Sequence, residues 1–267
     1  MIRREELRVL KMQIEDAVNE AFEFAKKNEK NKNDYILFLS RTAYNPSAHN
    51  EFSSWTIDNS LQELIDRHRV DFLLYYLNQS YNFQTENSVD SKVSLTIELM
   101  IYSHLWESKH NLANFKKLAD LIDSKPVDWE LKIPEDSKFM FVKNNIRDVF
   151  EKYNLKIYQI FKECYRSQLR NAFAHSLYHF SLNGHYLVFE NYKEPNHQIK
   201  EMSFDDWTVI FLKSTLLQNE YHNKFSREIE ALEKGKEYEV TMIDANKTVS
   251  AYLSYDHEFK RFKGRLK

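Results

Sequence analysis

The amino-acid sequence predicts a mainly α-helical protein. Only three Gly and four Pro occur among 267 residues, far below average usage, which disfavours a turn-rich all-β fold. Apolar residues recur at spacings of three and four through most of the chain, as they do in amphipathic helices. With 42% hydrophobic and 15% aromatic residues, the chain has enough apolar surface to bury a sizeable core.

Residues 1–55 are predicted to hold one helix and a connector. Charged and apolar residues alternate with helical spacing over 2–28, which indicates an amphipathic helix of about seven turns. The following segment is polar, apart from a short apolar run at 35–39. We expect a connector that contains one brief ordered piece.

Residues 56–180 are predicted to form an antiparallel helical bundle. A second long helix should begin near Thr56 or Asp58, since either residue is a suitable N-cap. Four further helices are predicted over 91–108, 111–122, 138–152 (with Ser137 as its cap) and 155–178. Four or five helices with short connections are typical of such a bundle.

Residues 181–267 are predicted to be an α+β extension. Apolar and polar residues alternate on both sides of Asn183 and Gly184, which is a strong hairpin signal. A long helix follows, with Ser203 as its cap and Gly235 at its end. Two short strands separated by residues 244–247 come next, and the basic stretch 257–267 then reads as a solubilising tail or as a basic surface.

Composition limits the possible functions. The single cysteine, Cys164, excludes an intramolecular disulfide and a cysteine-based zinc site, so we expect a reducing, cytoplasmic environment. The charged N-terminus does not fit a signal peptide, and no apolar run is long enough to span a membrane. Glycine-rich phosphate-binding motifs are absent, which disfavours ATP hydrolysis and dinucleotide use.

The stretch "YRSQLRNAFAHSLYHF" at 165–180 places Arg170, Asn171 and His175 in an apolar helix. Unpartnered polar groups there would cost about 1–3 kcal/mol each, so these residues are either satisfied structurally or take part in chemistry. Arg170 and His175 are five residues apart, about 140° around a helix. A shared site therefore needs a distorted helix or a second copy of the chain.

A purely structural interpretation is also open. The histidine can be a satisfied core residue, and Arg170 can pair with Glu163 or with an acid from another helix. An H-x-x-x-H metal site at His175 and His179 lacks the glutamate of zinc peptidases and is disfavoured. Cys164 reads as a small core residue rather than as a nucleophile.

Arginine, a polar residue and then histidine after four intervening positions, in the last long helix of a bundle, resemble the signature of the HEPN superfamily. Its RNase members cleave RNA without a metal ion or other cofactor. The resemblance implies that His175 transfers protons, since imidazole titrates near neutral pH. It implies that Arg170 holds the phosphate, because a guanidinium can bind two phosphate oxygens. Asn171 would orient the histidine ring or contact the phosphate.

The resemblance also implies partners. Family members usually dimerise through the motif helices, and many are growth-arresting toxins or abortive-infection effectors, so we expect RNA, a second copy and an antitoxin or defence-system partner. Residues 137–180 carry eight Lys or Arg against three acids, which suits an RNA-facing groove despite the overall charge of -2. Four residues are the candidate RNA contacts: Lys162, Arg166, Tyr178 and His179. The alternative is a non-catalytic HEPN module that binds RNA or dimerises.

Overall fold

The computed structural model describes residues 4–41, 43–44, 55–56, 75, 92–128, 131–182, 184–195, 197–244 and 247–267. Within them the protein is mostly helical, with two small antiparallel sheets near the C-terminus, so the predicted mainly α class is confirmed. The predicted second long helix lies outside the described residues except at Thr56 and at Tyr75, which is helical. Thr56 is not a helix cap, because it pairs with Ala43 between strands β1 (Ala43–Tyr44) and β2 (Trp55–Thr56).

Helix α1 (Arg4–Lys27) confirms the first predicted helix. Its apolar stripe is buried, with Ile14, Val18 and Phe22 each exposing no more than 1% of their surface. The apolar run at 35–39 lies in the short helix α2 (Asp34–Leu39), all six residues of which are buried. The connector therefore contributes to the core.

Helices α3 (Lys92–Glu107) and α4 (Lys109–Ile122) are separated by one residue, Ser108. The backbone of Ser108 is extended, and its Oγ accepts a hydrogen bond from the backbone N–H of Asn111 at 3.3 Å. This cap satisfies a free N–H at the start of α4 and lets the chain change direction at once. Both helices agree with the predicted ranges.

The predicted helix over 138–152 is interrupted by a wider turn. Helix α5 (Lys138–Val142) passes into a π-helical turn (Lys143–Arg147) and then into α6 (Asp148–Lys152). A π-helical turn holds more residues than an α-helical turn, so it keeps side chains four positions apart on one face. The core side chains on that face, which are fully buried, are Val142, Ile146 and Phe150. Ser137 precedes α5, but its side chain makes no capping hydrogen bond, so the predicted serine cap is wrong.

The predicted helix over 155–178 is two helices, α7 (Ile157–Cys164) and α8 (Ser167–Ala174). Tyr165 and Arg166 between them have extended backbones. Helix α8 ends at Ala174 with His175 as its C-cap, because Ser176 adopts a left-handed backbone with φ of 55°. The Leu177 N–H then bonds the Ala172 carbonyl at 2.7 Å, the closing bond of a Schellman motif.

The predicted hairpin is confirmed as β3 (Tyr178–Phe180) and β4 (Tyr186–Phe189), and β5 (Glu201–Ser203) completes this sheet. Gly184, in the connection, has the positive φ of 71° that favours glycine. Ser203 caps the long helix α9 (Phe204–Glu230), since its Oγ accepts the Asp206 N–H at 3.1 Å. Helix α9 ends before Gly235, which lies in the following turn rather than at the helix end.

The C-terminal sheet contains one strand more than predicted. Strands β6 (Tyr238–Asp244), β7 (Lys247–Asp256) and β8 (Arg261–Leu266) pair antiparallel in that order. The interpretation of the last residues as a tail is therefore wrong, because β8 pairs along its length with β7. The inner face of the sheet is buried and reaches helix α2 through β6; its buried residues include Val240, Met242, Ala251 and Leu253.

One continuous apolar core runs from Leu10 in α1 to Leu253 in β7. Helix α9 packs against α1, α3 and α7, and Trp207, Phe211 and Tyr221 on it are fully buried. No helix in the described part of the chain has the length and apolar character needed to cross a bilayer.

Candidate functional site

The break between α7 and α8 sets the position of the motif helix. The extended backbones of Tyr165 and Arg166 interrupt the helical hydrogen-bond pattern and leave the Cys164 carbonyl and the Arg166 N–H in need of partners inside the protein. The fully buried Tyr102 on α3 supplies them, because its hydroxyl donates to the Cys164 carbonyl at 2.8 Å and accepts from the Arg166 N–H at 2.9 Å. Helix α8 is thereby fixed to α3, and the two elements pack together.

The guanidinium of Arg170 is held by two neighbours. Its Nη1 lies 2.7 Å from Oε1 of Glu107, the last residue of α3. Its Nε and Nη2 both donate to the side-chain oxygen of Asn171, at 3.1 and 2.7 Å. These contacts use three of the five N–H groups and leave one on each terminal nitrogen. The guanidinium is therefore oriented and keeps two donors for a ligand.

Glu107 joins two cations. Its second oxygen accepts a hydrogen bond from Nζ of Lys138, the first residue of α5. The Arg170 side chain exposes 17% of its surface and that of Lys138 10%, whereas Glu107 exposes 40%. The cluster of Glu107, Lys138 and Arg170, which we call the charged cluster, thus lies at the surface with a net positive charge.

Aromatic side chains lie beside the charged cluster. Tyr165 is 6% exposed, and its ring lies 4.9 Å from Trp106 and stacks on Phe139 at 6.0 Å. Burial raises the pKa of Tyr165 to about 12, with smaller opposing contributions from Arg170 and Glu107. The Tyr165 hydroxyl is buried without a hydrogen-bond partner among the described residues. This hydroxyl, close to Arg170 and Glu107, therefore has an unused hydrogen-bond donor.

His175 lies at the C-terminal end of α8 with an exposed side chain. Its backbone N–H donates to the Asn171 carbonyl at 3.1 Å. Its imidazole makes no hydrogen bond to any residue that the structure describes, and no contact joins it to the guanidinium of Arg170. The structure brings Arg170 and Asn171 together and places His175 one turn away, free to meet solvent.

The role of Asn171 differs in one respect from the expectation. Its amide oxygen binds Arg170 rather than the ring of His175. The reason is local. The long side chain of Arg170 can reach the short side chain of its neighbour Asn171 along the helix surface, whereas His175 lies beyond the last helical residue. Asn171 is in position to fix the guanidinium.

The two basic candidates for RNA contact lie on and just after α7. Lys162 and Arg166 are exposed. The Lys162 ammonium is 5.6 Å from the ring centre of Tyr158, and Arg166 donates weakly to the Glu163 carbonyl at 3.3 Å. Neither cation makes an ion pair among the described residues, so both keep their charge available to an anion. Glu163 instead pairs with Lys213.

The other two candidates lie on β3. Tyr178 is half-buried between Phe173 and Phe180, whose ring centres are 6.2 and 6.1 Å away. The exposed His179 lies 3.0 Å from Glu190. Because the chain turns at Ser176, His175 and His179 do not share a helix face, and the H-x-x-x-H spacing does not form a helical ligand pair.

The described residues contain no reactive thiol and no metal-ligand cluster. Burial raises the pKa of Cys164 to about 12, so its thiol stays protonated at neutral pH. The part of the chain that is described contains no group of three or more His, Cys, Asp or Glu able to share a metal ion. A packing gap lined by Trp106, Phe115 and Gln218, among others, leaves no room for a ligand.

Four important residues were not predicted: Tyr102, Glu107, Lys138 and Tyr165. One of them carries a sequence signal. Glu107 ends a helix, where a negative charge meets the negative end of the helix dipole and is unfavourable. An acid in that position indicates a cation from another part of the fold. The others carry no signal, because only tertiary packing brings α3, α5 and α8 together.

Fold and site together define a mainly helical protein with an arginine-containing charged cluster at its surface and an exposed histidine one helix turn away. No protein-family model matches this chain, and neither the curated proteins nor the solved structures contain a significant match.

Proposed function

We propose that this protein is a metal-independent endoribonuclease of the HEPN type, which cleaves RNA through the ribose 2′-OH. The observation that carries the proposal is that an exposed imidazole, His175, lies one helix turn beyond an oriented guanidinium, Arg170. The reaction needs a group that moves a proton from the 2′-OH and a group that stabilises charge on the phosphorus oxygens. These two side chains supply both.

The chemistry of each side chain determines its role. Arg170 keeps two N–H donors beyond those used by Glu107 and Asn171, so it can hold two phosphate oxygens in a fixed direction. His175 has no described side-chain partner and can approach a ribose hydroxyl from solvent. Attack of the 2′ oxygen on phosphorus releases the 5′ oxygen of the next nucleotide and leaves a 2′,3′-cyclic phosphate.

A second copy of the chain fits this chemistry. Arg170 and His175 do not touch within one chain, and α8 ends in an exposed segment. Two motif helices that face each other would let the histidine of one copy and the arginine of the other bind the same phosphodiester. The homodimer is part of the proposal, as are a bacterial defence or toxin–antitoxin setting, a cytoplasmic site of action and a partner that restrains the activity.

The test is RNA cleavage in the presence of EDTA. We expect the native protein to cut RNA but not DNA of the same sequence, and to leave cyclic phosphate ends. Arg170→Ala and His175→Ala should each lower the rate by about 10²–10⁴-fold, the usual contribution of a group that transfers a proton or stabilises the transition state.

The matched control is His185→Ala, which removes another exposed imidazole from the β3–β4 connection. It should keep the native rate. His175→Ala and His185→Ala should keep the native unfolding midpoint, whereas Arg170→Ala removes a largely buried cation and should be assayed at a temperature at which circular dichroism shows that it is folded. Equal cleavage by native protein and His175→Ala would reject the proposal. Growth arrest on expression in a bacterial host, relieved by His175→Ala, would support the toxin setting.

The second candidate is a non-catalytic module that binds RNA or dimerises. The ion pair between Arg170 and Glu107 favours it, because a guanidinium already paired with a carboxylate can be structural. RNA binding that survives Arg170→Ala and His175→Ala, with no cleavage by the native protein, would support the module instead.

A further inference from the structure

We propose that the outer face of the C-terminal sheet is a second RNA-binding surface, which holds a single strand along β8 by its phosphates and stacks its bases on Phe259 and Tyr252. The choice of RNA as the ligand rests on the proposed function. The geometry itself points to a flexible single-stranded polyanion.

Strand β8 carries a row of cations on one face. Arg261, Lys263 and Arg265 are exposed, whereas Phe262 and Gly264 between them are half-buried, and Lys267 continues the row beyond the strand. Every second residue of a strand points to the same face, so these cations follow one another at about 6.6–6.8 Å. That spacing is comparable with the distance between successive phosphates in an extended single strand.

Two aromatic rings lie within the cation row. Phe259, in the turn before β8, is 62% exposed. The guanidinium of Arg261 lies 5.4 Å and the ammonium of Lys263 5.7 Å from its ring centre. On β7, the ring of Tyr252 lies 4.4 Å from the guanidinium of Arg265. Proteins that bind single strands without strict sequence preference combine stacking rings with cations in this way.

Protection of an edge strand does not account for this surface. Cations on an edge strand can discourage pairing with other chains, and β8 is at the edge of its sheet. A large exposed phenylalanine in the adjoining turn would work against that purpose, since exposed apolar groups promote association. Stacking on a ligand explains the phenylalanine and the cations together.

Carboxylates on the same face would compete with phosphate. Asp256 pairs with Lys263, Glu239 lies 2.6 Å from Lys267, and Glu237 binds Arg265 through both oxygens at 3.0 and 2.8 Å. Arg261 has no carboxylate partner among the described residues. The pairs of Glu237 and Glu239 have exposed side chains, and such ion pairs contribute little net stability and can exchange. Asp256 exposes only 16% of its side chain and also accepts the backbone N–H groups of Glu258 and Phe259, so it stays in place. A phosphate can therefore replace Glu237 or Glu239, and removal of either carboxylate should strengthen RNA binding.

The test measures binding of an unstructured single-stranded RNA by fluorescence anisotropy, in the full-length His175→Ala protein so that the RNA stays intact. Phe259→Ala should weaken binding about tenfold, the loss expected for one stacked base. Arg261→Gln should weaken binding and lower the slope of log affinity against log salt by about 0.7. Glu237→Gln should strengthen binding about threefold, because it frees Arg265.

The matched control is Lys27→Gln, which removes an exposed cation at the end of α1, outside the sheet. It should leave the affinity within about twofold, as expected for a charge that touches no phosphate. Every variant should keep the native unfolding midpoint, since the substituted side chains are exposed. The inference is overturned if Phe259→Ala binds like the parent, if Glu237→Gln fails to bind more tightly, or if Lys27→Gln matches Arg261→Gln.

The binding test of the C-terminal sheet and the cleavage test of the proposed function can fail independently. Loss of cleavage in Arg170→Ala, together with unchanged binding in the sheet variants, rejects only this second surface. Absence of cleavage by the native protein, together with the predicted pattern of affinities, rejects only the nuclease.

Discussion

Glu107 is the single residue on which the charged cluster depends. It is the common partner of Arg170 and Lys138, two cations that are largely buried and come from different helices. Without the carboxylate these cations would face each other with no opposite charge between them. Largely buried cations are costly when left without a partner. Glu107 therefore acts on stability and on the direction of the guanidinium at the same time.

We predict that Glu107→Gln lowers the free energy of unfolding by about 1–2 kcal/mol, since the amide has no negative charge and only one acceptor oxygen for two cations, but keeps the shape of the side chain. Chemical denaturation measures the change. RNA cleavage by this variant should also fall, because one of the two groups that orient Arg170 is weakened.

The control for this prediction is Glu135→Gln, which breaks an ion pair with Lys109 whose two side chains are mostly exposed. An exposed pair contributes about 0–1 kcal/mol, so this variant should be close to native. If both substitutions change stability equally, the charged cluster has no special role.

At the scale of elements, the break between α7 and α8 determines where the motif lies. In a continuous helix, His175 would lie about 140° around the axis from Arg170, and it would share a face with His179 one turn later. The extended residues Tyr165 and Arg166 instead reset the direction of α8, and the left-handed Ser176 ends it at the histidine. The end at Ser176 is satisfied by bonds to α8 itself, whereas the break leaves backbone groups that Tyr102 of α3 must satisfy.

We predict that Tyr102→Phe lowers the free energy of unfolding by about 1–3 kcal/mol, because the Cys164 carbonyl and the Arg166 N–H lose their shared buried partner. Amide hydrogen exchange at Arg166 should become faster, since the start of α8 is no longer tied to α3. Cleavage should decrease as the motif helix loosens.

Tyr192→Phe is the matched control, because its hydroxyl bonds Glu194 at the surface. Such a change usually alters stability by no more than about 0.5 kcal/mol. Unchanged exchange at Arg166 in Tyr102→Phe would show that the hydroxyl does not hold the break.

At the scale of the whole molecule, α9 ties the N-terminal and C-terminal parts into one core. The ring centre of Tyr221 on α9 lies 5.2 Å from that of Phe22 on α1 and 4.8 Å from that of Phe115 on α4. The ring centre of Trp207, also on α9, lies 5.4 Å from that of Tyr102 on α3. The predicted division into 1–55, 56–180 and 181–267 stays a prediction. These contacts indicate that the helices before residue 180 need α9 to complete their packing.

We predict that a fragment of residues 1–180 does not fold cooperatively, because removal of α9 exposes the apolar faces of α1, α3 and α7 to water. Thermal unfolding followed by circular dichroism should show one sharp transition for the full chain and a broad one for the fragment. A sharp transition in the fragment would instead support an independent bundle.

The sequence by itself determined the elements whose signals are local. The helical periodicity of α1, α3 and α4, the serine cap of α9 and the hairpin at Gly184 depend on spacing and on backbone preferences that neighbouring residues set. Arg170, Asn171 and His175 were found for the same reason, since polar residues inside an apolar pattern are visible without a structure.

Only the tertiary structure decided how these pieces work together. The break at Tyr165 depends on Tyr102, which is distant in sequence, and the π-helical turn depends on the core that packs against Ile146. Strand β8 pairs with its sequence neighbour β7, and it was missed because its alternating cations were interpreted as a charged tail. The joining of Arg170 to Glu107 required α3 and α8 to pack side by side. Such interactions are selected by burial and by the pairing of charges across the fold, so no window of sequence contains them.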